Sequence, residues 1–293
     1  MNWIIGIVLV NSATLAWAIN IAIGRWLRQD IGPLTLAAGR FLVAFLVFAV
    51  IWLRLPLQER RMGKDRWLLL GMALSGVVIF SPALYLGLHF TTASNASLIM
   101  GSAPLMTALL AALLINEPMS LRKIVGSVLS FLGIFILLRI SFSTWLHAPG
   151  TLGDFLVFGA VCSWSLYTIL SRKVMKNRSA LSASAFSVFL GLPFLMLGAT
   201  YEVQILPLWV HVNLIFCILF LGIASTVIAF FSWNLGVSRL GATGAMLFFN
   251  TMPLYGLIIN RFFLNEYITL SHVFGGAFII GGGIMGAGGR IQK

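Results

Sequence analysis

The chain has 293 residues, of which 60% are hydrophobic and only 9% charged. A soluble domain averages about 25% charged residues, so too little polar surface is available to face water on all sides, and the aliphatic content excludes a disordered protein. Two cysteines, Cys162 and Cys217, both inside apolar runs, exclude a disulfide-built fold. The net charge of +12 does not read as nucleic-acid binding, because the basic residues sit in short clusters between apolar stretches of helix length.

A hydrocarbon core takes about 20 apolar residues per helix. Cutting the chain at charge, Pro and Gly punctuation predicts ten spans, near 4–24, 33–53, 67–88, 92–115, 121–139, 153–172, 182–200, 213–237, 241–264 and 270–288. The first run is longer than the apolar region of a cleavable signal and has no basic residue before it, so it is read as a span. Even-numbered connections and the C-terminus carry Arg54, Arg60, Arg61, Lys64, Arg66, Arg122, Lys123, Arg172, Lys173, Lys176, Arg178, Arg239, Arg290 and Lys293. Odd-numbered connections carry only Arg25, Arg28, Arg139 and Arg261. Positive residues stay cytoplasmic, which predicts both termini in the cytoplasm. Trp3, Trp26, Trp52, Trp67, Trp145 and Trp209 fall near span ends, where indole prefers the headgroup layer, whereas Trp17 and Trp164 lie deep.

The second half repeats the first. Ala93, Pro104, Asn116, Glu117, Gly126 and Gly133 meet Ala242, Pro253, Asn265, Glu266, Gly275 and Gly282 at one offset of 149 residues, and Trp17 meets Trp164 at 147. Five spans per half is an odd number, so the halves are expected to enter the membrane in opposite senses. Inverted repeats of this kind are a transporter architecture with the substrate site between them. The second and seventh spans match poorly, and no counterpart of Arg40 stands near Val188.

On these residues the chain resembles an EamA-type member of the drug/metabolite transporter superfamily over essentially its whole length. The carrying features are Arg40-Phe41, Asn116-Glu117 with Leu121, Gly126 and Gly133, their repeat Asn265-Glu266 with Leu270, Gly275 and Gly282, and Gly153-Asp154 leading to Trp164 and Arg172-Lys173. The resemblance implies an all-α integral membrane protein of ten helices in two inverted five-helix repeats around a central cavity. The first repeat is placed at 1–140, an external connection at 141–152 and the second repeat at 153–293. It also implies export or exchange of small metabolites such as amino acids.

Candidate site residues follow from polarity at depth. Pro104 and Pro253 lie mid-span and free the carbonyls of Met100 and Phe249, a break tolerated only where protein or cavity water satisfies them. Asn95, Ser102, Asn250 and Thr251 stand near these breaks, which read equally as packing kinks or as gating elements. Thr14, Trp17 and Asn20 form one stripe, and Trp164, Thr168 and Ser171 a matching one beside Tyr167; the two indoles either line a cavity or pack beside the repeat axis. Ser75, Pro82, Tyr85 and His89 share a helical face at 100° per residue, and repeat equivalence pairs Tyr85 with Asn234. Arg40 lies inside a span, roughly 10 Å from its outer end at 1.5 Å per residue. A charge there needs a partner: carbonyls and hydroxyls are the structural reading, a substrate carboxylate the functional one. The glycines of the fourth and tenth spans read as close helix packing.

No metal-ligand spacing, nucleophile elbow or phosphate loop is present, so neither an enzyme nor a metal or cofactor is expected. The expected protein is a monomeric permease of the cytoplasmic (inner) membrane. It exports or exchanges small metabolites, foremost amino acids including aromatic and apolar ones. A multidrug exporter is the alternative within transport; a membrane scaffold or lipid-processing enzyme is the alternative outside it. All seven acids sit at or beyond span ends, so no proton coupling is expected.

Overall fold

A computed structural model describes residues 2–115, 120–137, 150–206 and 208–287. Asn116, Glu117 and Trp145 lie outside the described residues. Among the described residues the chain is helical, with no strand. The α-helices of eight or more residues are α1 (Asn2–Trp26), α2 (Pro33–Trp52), α3 (Arg66–Ala73), α4 (Phe80–Phe90), α5 (Ala93–Met100), α6 (Ala103–Ile115), α7 (Leu121–Leu137), α8 (Thr151–Val174), α9 (Ala180–Ile205), α10 (Val212–Gly222), α11 (Ala229–Phe249), α12 (Thr251–Phe263) and α13 (Leu270–Ala287), and a single turn at Leu57–Arg60 follows α2. Among the described residues, seven helical runs are long and apolar enough to cross a membrane: Trp3–Gln29, Pro33–Trp52, Leu57–Phe90, Ala93–Leu114, Thr151–Val174, Ala180–Ile205 and Val212–Gly241. Leu270–Gly282 is apolar but shorter.

Helix starts follow local chemistry. Pro33 opens α2, where its missing N–H is no loss. Thr92 accepts from the Asn95 amide at the start of α5, and Ser179 from the Ser182 amide at the start of α9. Carboxylates from distant segments complete three of these ends, where the helix dipole favours negative charge. Glu202, at the end of α9, accepts from the amides of Leu34 (3.1 Å) and Thr35 (2.6 Å) on α2. Glu59, just after α2, accepts from the Ser179 amide at 3.2 Å. Glu266, after α12, accepts from the amides of Ala93 (2.9 Å) and Ser94 (2.8 Å) on α5.

Connections meet in a crossed pattern. The segment after α1 touches the segment before α10: the Trp209 amide donates to the Asp30 carbonyl at 2.9 Å, and His211 Nε2 lies 3.5 Å from Asp30 Oδ2. The segment after α2 touches the one before α9, where Arg178 Nε pairs with Asp65 at 3.2 Å. α7 and α13 pack through glycines on equivalent faces. A methyl at Gly133 would stand 2.6 Å from the Gly275 carbonyl oxygen, one at Gly282 would strike the Gly126 carbonyl oxygen, and Ser130 Oγ donates to the Ile279 carbonyl at 3.0 Å.

Two helical irregularities recur at the repeat offset. A π-helical turn at Leu74–Ile79 joins α3 to α4, and another at Ile223–Ile228 joins α10 to α11. Pro82 follows the first, but Phe231 stands at the corresponding place in the second, so proline is not their common cause. What both turns share is a carbonyl bonded from outside the helix: Ser163 Oγ donates to the Ser75 carbonyl at 2.7 Å, and Trp17 Nε1 to the Ser225 carbonyl at 3.0 Å. An inserted side chain is an established way to open a helical ladder. The first turn also corrects the face read from sequence, because a wider turn between Ser75 and Pro82 breaks the 100° period. The Ser75 carbonyl is bonded from α8 and its hydroxyl turns back to the Gly71 carbonyl, whereas the Tyr85 hydroxyl meets α1 and α2.

The second irregularity is a break at the middle of two spans. The helix stops at Gly101–Ser102 between α5 and α6, and at Asn250 between α11 and α12. Each break lies just before the predicted proline. α11 itself bends at Gly241, whose φ of 73° is one a side chain would resist.

Candidate functional site

The centre of the molecule is an aromatic cluster shared by both halves. Trp17 meets Trp164 edge-to-face at 4.8 Å between ring centroids, and Trp164 stacks on Tyr167 at 4.7 Å. Phe230, Trp233 and Phe249 close around them at 5.4–5.5 Å (Trp164–Phe230, Trp17–Trp233 and Trp233–Phe249). Trp17 is 4% and Trp164 1% exposed, so in this conformation the two deep indoles pack against protein. The sequence identified Trp17 and Trp164 but not Phe230 and Phe249, which look like ordinary span residues. The indoles differ in their polar ends. Trp17 donates to Ser225, while Trp164 Nε1 and Trp233 Nε1 are buried without a hydrogen-bond partner.

Arg40 is completely buried on α2. Its Nη1 donates to Asn20 Oδ1 at 2.9 Å and to the Tyr85 hydroxyl at 2.8 Å, and that hydroxyl donates to Asn20 at 2.5 Å. The guanidinium lies over the Phe41 ring at 4.7 Å, within cation–π range. Thus Asn20, Arg40 and Tyr85, identified separately in the sequence, form one network between α1, α2 and α4. Among the described residues, Arg40 Nε and Nη2 have no partner.

The second half builds a related network on the corresponding helices. Asn234 Nδ2 on α11 donates to the Tyr167 hydroxyl on α8 at 2.9 Å and to Ser184 Oγ on α9 at 2.8 Å. Asn and Tyr have exchanged helices relative to the first half, and Ser184 takes the place of the arginine. This supplies the counterpart for which the sequence near Val188 gave no signal.

The breaks carry the remaining candidates. Ser102 Oγ donates back to the Ile99 carbonyl at 2.7 Å and Thr251 Oγ1 to the Phe248 carbonyl at 2.8 Å. These hydroxyls cap carbonyls one residue before Met100 and Phe249, the two that the prolines were expected to free. Gly101 lies against Pro253, so the two breaks touch, and Pro104 is buried beside the first. Asn250 is buried with neither its Nδ2 nor its Oδ1 bonded.

Asn95 belongs elsewhere, at one end of α5. Its Nδ2 lies 3.4 Å from Asp154 Oδ1, which also accepts from the Thr91 hydroxyl, and its Oδ1 is 3.0 Å from His272 Nε2. With Glu266 on the α5 N-terminus, these contacts tie α5, α8, α13 and the segment after α4 together at one level. Sequence reasoning marked Asp154 through the resemblance but gave no sign of His272. An apolar groove lined by Phe45, Ala49, Val50, Trp52, Leu53 and Phe189 lies between α2 and α9, away from the polar networks. Among the described residues no group of acids, histidines and cysteines could hold a metal.

Comparison with known proteins gives one consistent answer. A solved structure described only as a crystal structure of a protein shares the fold, with a TM-score of 0.68 over 96% of this chain and 95% of that one, at 20% identity. An uncharacterized transporter of Bacillus subtilis (strain 168), YyaM, is 27% identical over 87% of this chain and 85% of its own length. An uncharacterized transporter of Archaeoglobus fulgidus is 26% identical over 94% of this chain and 95% of its own. The model of the EamA-like transporter family matches twice, at residues 4–139 and 151–286. With both halves of its length matched, the chain is a membrane protein that belongs to the EamA-like transporter family.

Proposed function

We propose that the protein is a monomeric permease of the cytoplasmic membrane that exports or exchanges small metabolites by alternating access, amino acids with apolar or aromatic side chains foremost. In this reading it has ten helices in two inverted five-helix repeats, residues 1–140 and 153–293 joined by an external connection, and both termini are cytoplasmic. The crossed meeting of connections supports the inversion: α1's end meets the start of α10, and α2's end the start of α9. Parallel repeats would instead bring like connections to one end.

One observation carries the transport reading: the repeat-related breaks at Gly101–Ser102 and Asn250 touch across the centre, beside an aromatic cluster built from both halves. Discontinuous helices meeting at a repeat interface are where such proteins bind substrate. Trp17, Asn20, Arg40, Tyr85, Ser102, Trp164, Tyr167, Asn250 and Thr251 are then the substrate contacts. Asn95 serves at the entrance, and Pro104 and Pro253 keep the breaks from healing into continuous helix.

Absence of proton coupling is supported by what the six described acids do. Glu59, Glu202 and Glu266 cap helices, Asp65 and Asp30 pair with Arg178 and His211, and Asp154 holds Thr91 and Asn95. Uptake by proteoliposomes from a mixture of amino acids, nucleosides and sugar phosphates tests the proposal. Saturable movement of amino acids, with no accumulation under an imposed pH gradient, is expected. Movement of none of them refutes transport, and uphill uptake that a protonophore abolishes refutes the uncoupled mechanism.

A further inference from the structure

We infer that the free edge of Arg40 is a carboxylate-binding site, so that the substrate carries a carboxylate; this rests on the transport reading. Arg40 is held at one end only. Asn20 and Tyr85 take both bonds from Nη1, and Phe41 lies against the guanidinium. The atoms left without partners, Nε and Nη2, are not a random pair. Their N–H bonds leave the same edge of the planar guanidinium side by side, the geometry that grips both oxygens of one carboxylate.

Arg178 and Arg60 use that edge, whereas Arg25 and Arg28, which are only part-buried, bond through Nη1 and can turn the other edge to water. Arg178 bonds Asp65 through Nε and the Arg61 and Met62 carbonyls through Nη2, and Arg60 bonds the Leu55 carbonyl through Nε and the Leu53 carbonyl through Nη2. Both are less deeply buried than Arg40, where an unpaired charged donor costs most. Nor is a cation needed to tie the three helices together. The second half ties the equivalent helices with Tyr167, Asn234 and Ser184, none of them charged. The charge in the first half is therefore surplus to the structural task.

The class of ligand follows from the charge count. Among the described residues the network holds one cation and no acid. One carboxylate neutralises it, whereas a phosphate dianion would leave a buried negative charge. Phe41 contacts Phe230 and Phe230 contacts Trp164, so the groups beside the guanidinium, all packed in this conformation, are apolar where the remainder of the ligand would lie once the site opens. Asn20 and Tyr85, besides facing the substrate in the transport reading, hold Nη1 and so aim the fork.

Calorimetry on the full chain in nanodiscs tests this with two acid–amide pairs: L-phenylalanine with L-phenylalaninamide, and phenylacetate with phenylacetamide. We expect at least one acid to bind, tenfold or more tighter than its amide. Arg40→Gln should erase the difference, and Arg40→Lys, which keeps the charge without the fork, should restore only part of it. If Arg40→Gln does not fold, the wild-type pairs decide together with Tyr85→Phe, which should weaken the acid more than the amide and so narrow the ratio between them. Equal affinity for acid and amide, or binding of neither acid, overturns the assignment. Proteoliposomes that move amide as fast as acid overturn it too, while leaving transport intact. Arg40-dependent binding of an acid that is never moved leaves the site standing and overturns the transport reading.

Discussion

The first half of the molecule ties three helices with a buried arginine, an asparagine and a tyrosine; the second ties their counterparts with a serine, a tyrosine and an asparagine. The backbone repeats while the chemistry does not. Asn and Tyr change places because either can donate or accept at the same distance, so helix tethering constrains the pair and not which helix carries which member. Charge cannot be exchanged so freely, since a buried guanidinium needs acceptors that a serine does not. The same contrast appears in the indoles, of which Trp17 has a partner and Trp164 has none. It appears again at the chain connections, where Arg178–Asp65 corresponds to the weaker Asp30–His211 contact.

The largest effect should come from emptying the shared cluster. Trp164→Ala or Trp17→Ala should destabilise by about 3–5 kcal/mol, the cost of removing a large ring from a packed core, read as a lower melting temperature in detergent. Equal tolerance of both substitutions with altered substrate selection would show that the rings line a cavity and do not merely pack.

Next comes the pair of end connections. Arg178→Ala removes bonds to Asp65 and to three backbone carbonyls (Glu59, Arg61 and Met62), and should cost about 2–3 kcal/mol, as for hydrogen bonds to charged groups. His211→Ala loses a screened contact with Asp30, both side chains about a third exposed, and the cap it gives the Leu214 amide, and should cost about 1 kcal/mol. Similar losses from both would remove the distinction between the two ends. Thermal unfolding of the purified variants measures it.

The two tyrosines come third. Tyr85→Phe takes an acceptor from Arg40 and should cost about 1.5–3 kcal/mol, whereas Tyr167→Phe removes a bond between neutral groups worth about 1 kcal/mol. Chemical denaturation of both variants, side by side, checks the order. The smallest and most discriminating contrast is Trp→Phe. Trp17→Phe loses a hydrogen bond and should be about 1 kcal/mol less stable than Trp164→Phe, which has none to lose. A larger loss at Trp164 would mean that its N–H is satisfied.

Sequence alone determined that the chain is built of apolar helical spans, that it repeats internally, and that Trp17, Arg40, Tyr85 and Trp164 are buried. Hydropathy and a fixed offset are properties of neighbouring residues in the chain, which is why Pro104 and Pro253 pointed close to the observed breaks and Tyr85 could be matched to Asn234. Only the tertiary structure decided which of these side chains meet. That Arg40 spends one end of its guanidinium on Asn20 and Tyr85 depends on how three helices lie together. The caps by Glu59, Glu202 and Glu266 join residues more than a hundred positions away, and the sequence placed these acids only at or beyond span ends. The π turns gave no local signal, because a carbonyl drawn out of its ladder depends on a donor from another helix. Apolar periodicity says that a helix buries a face; distance between helices, which the one-dimensional pattern does not contain, says against what.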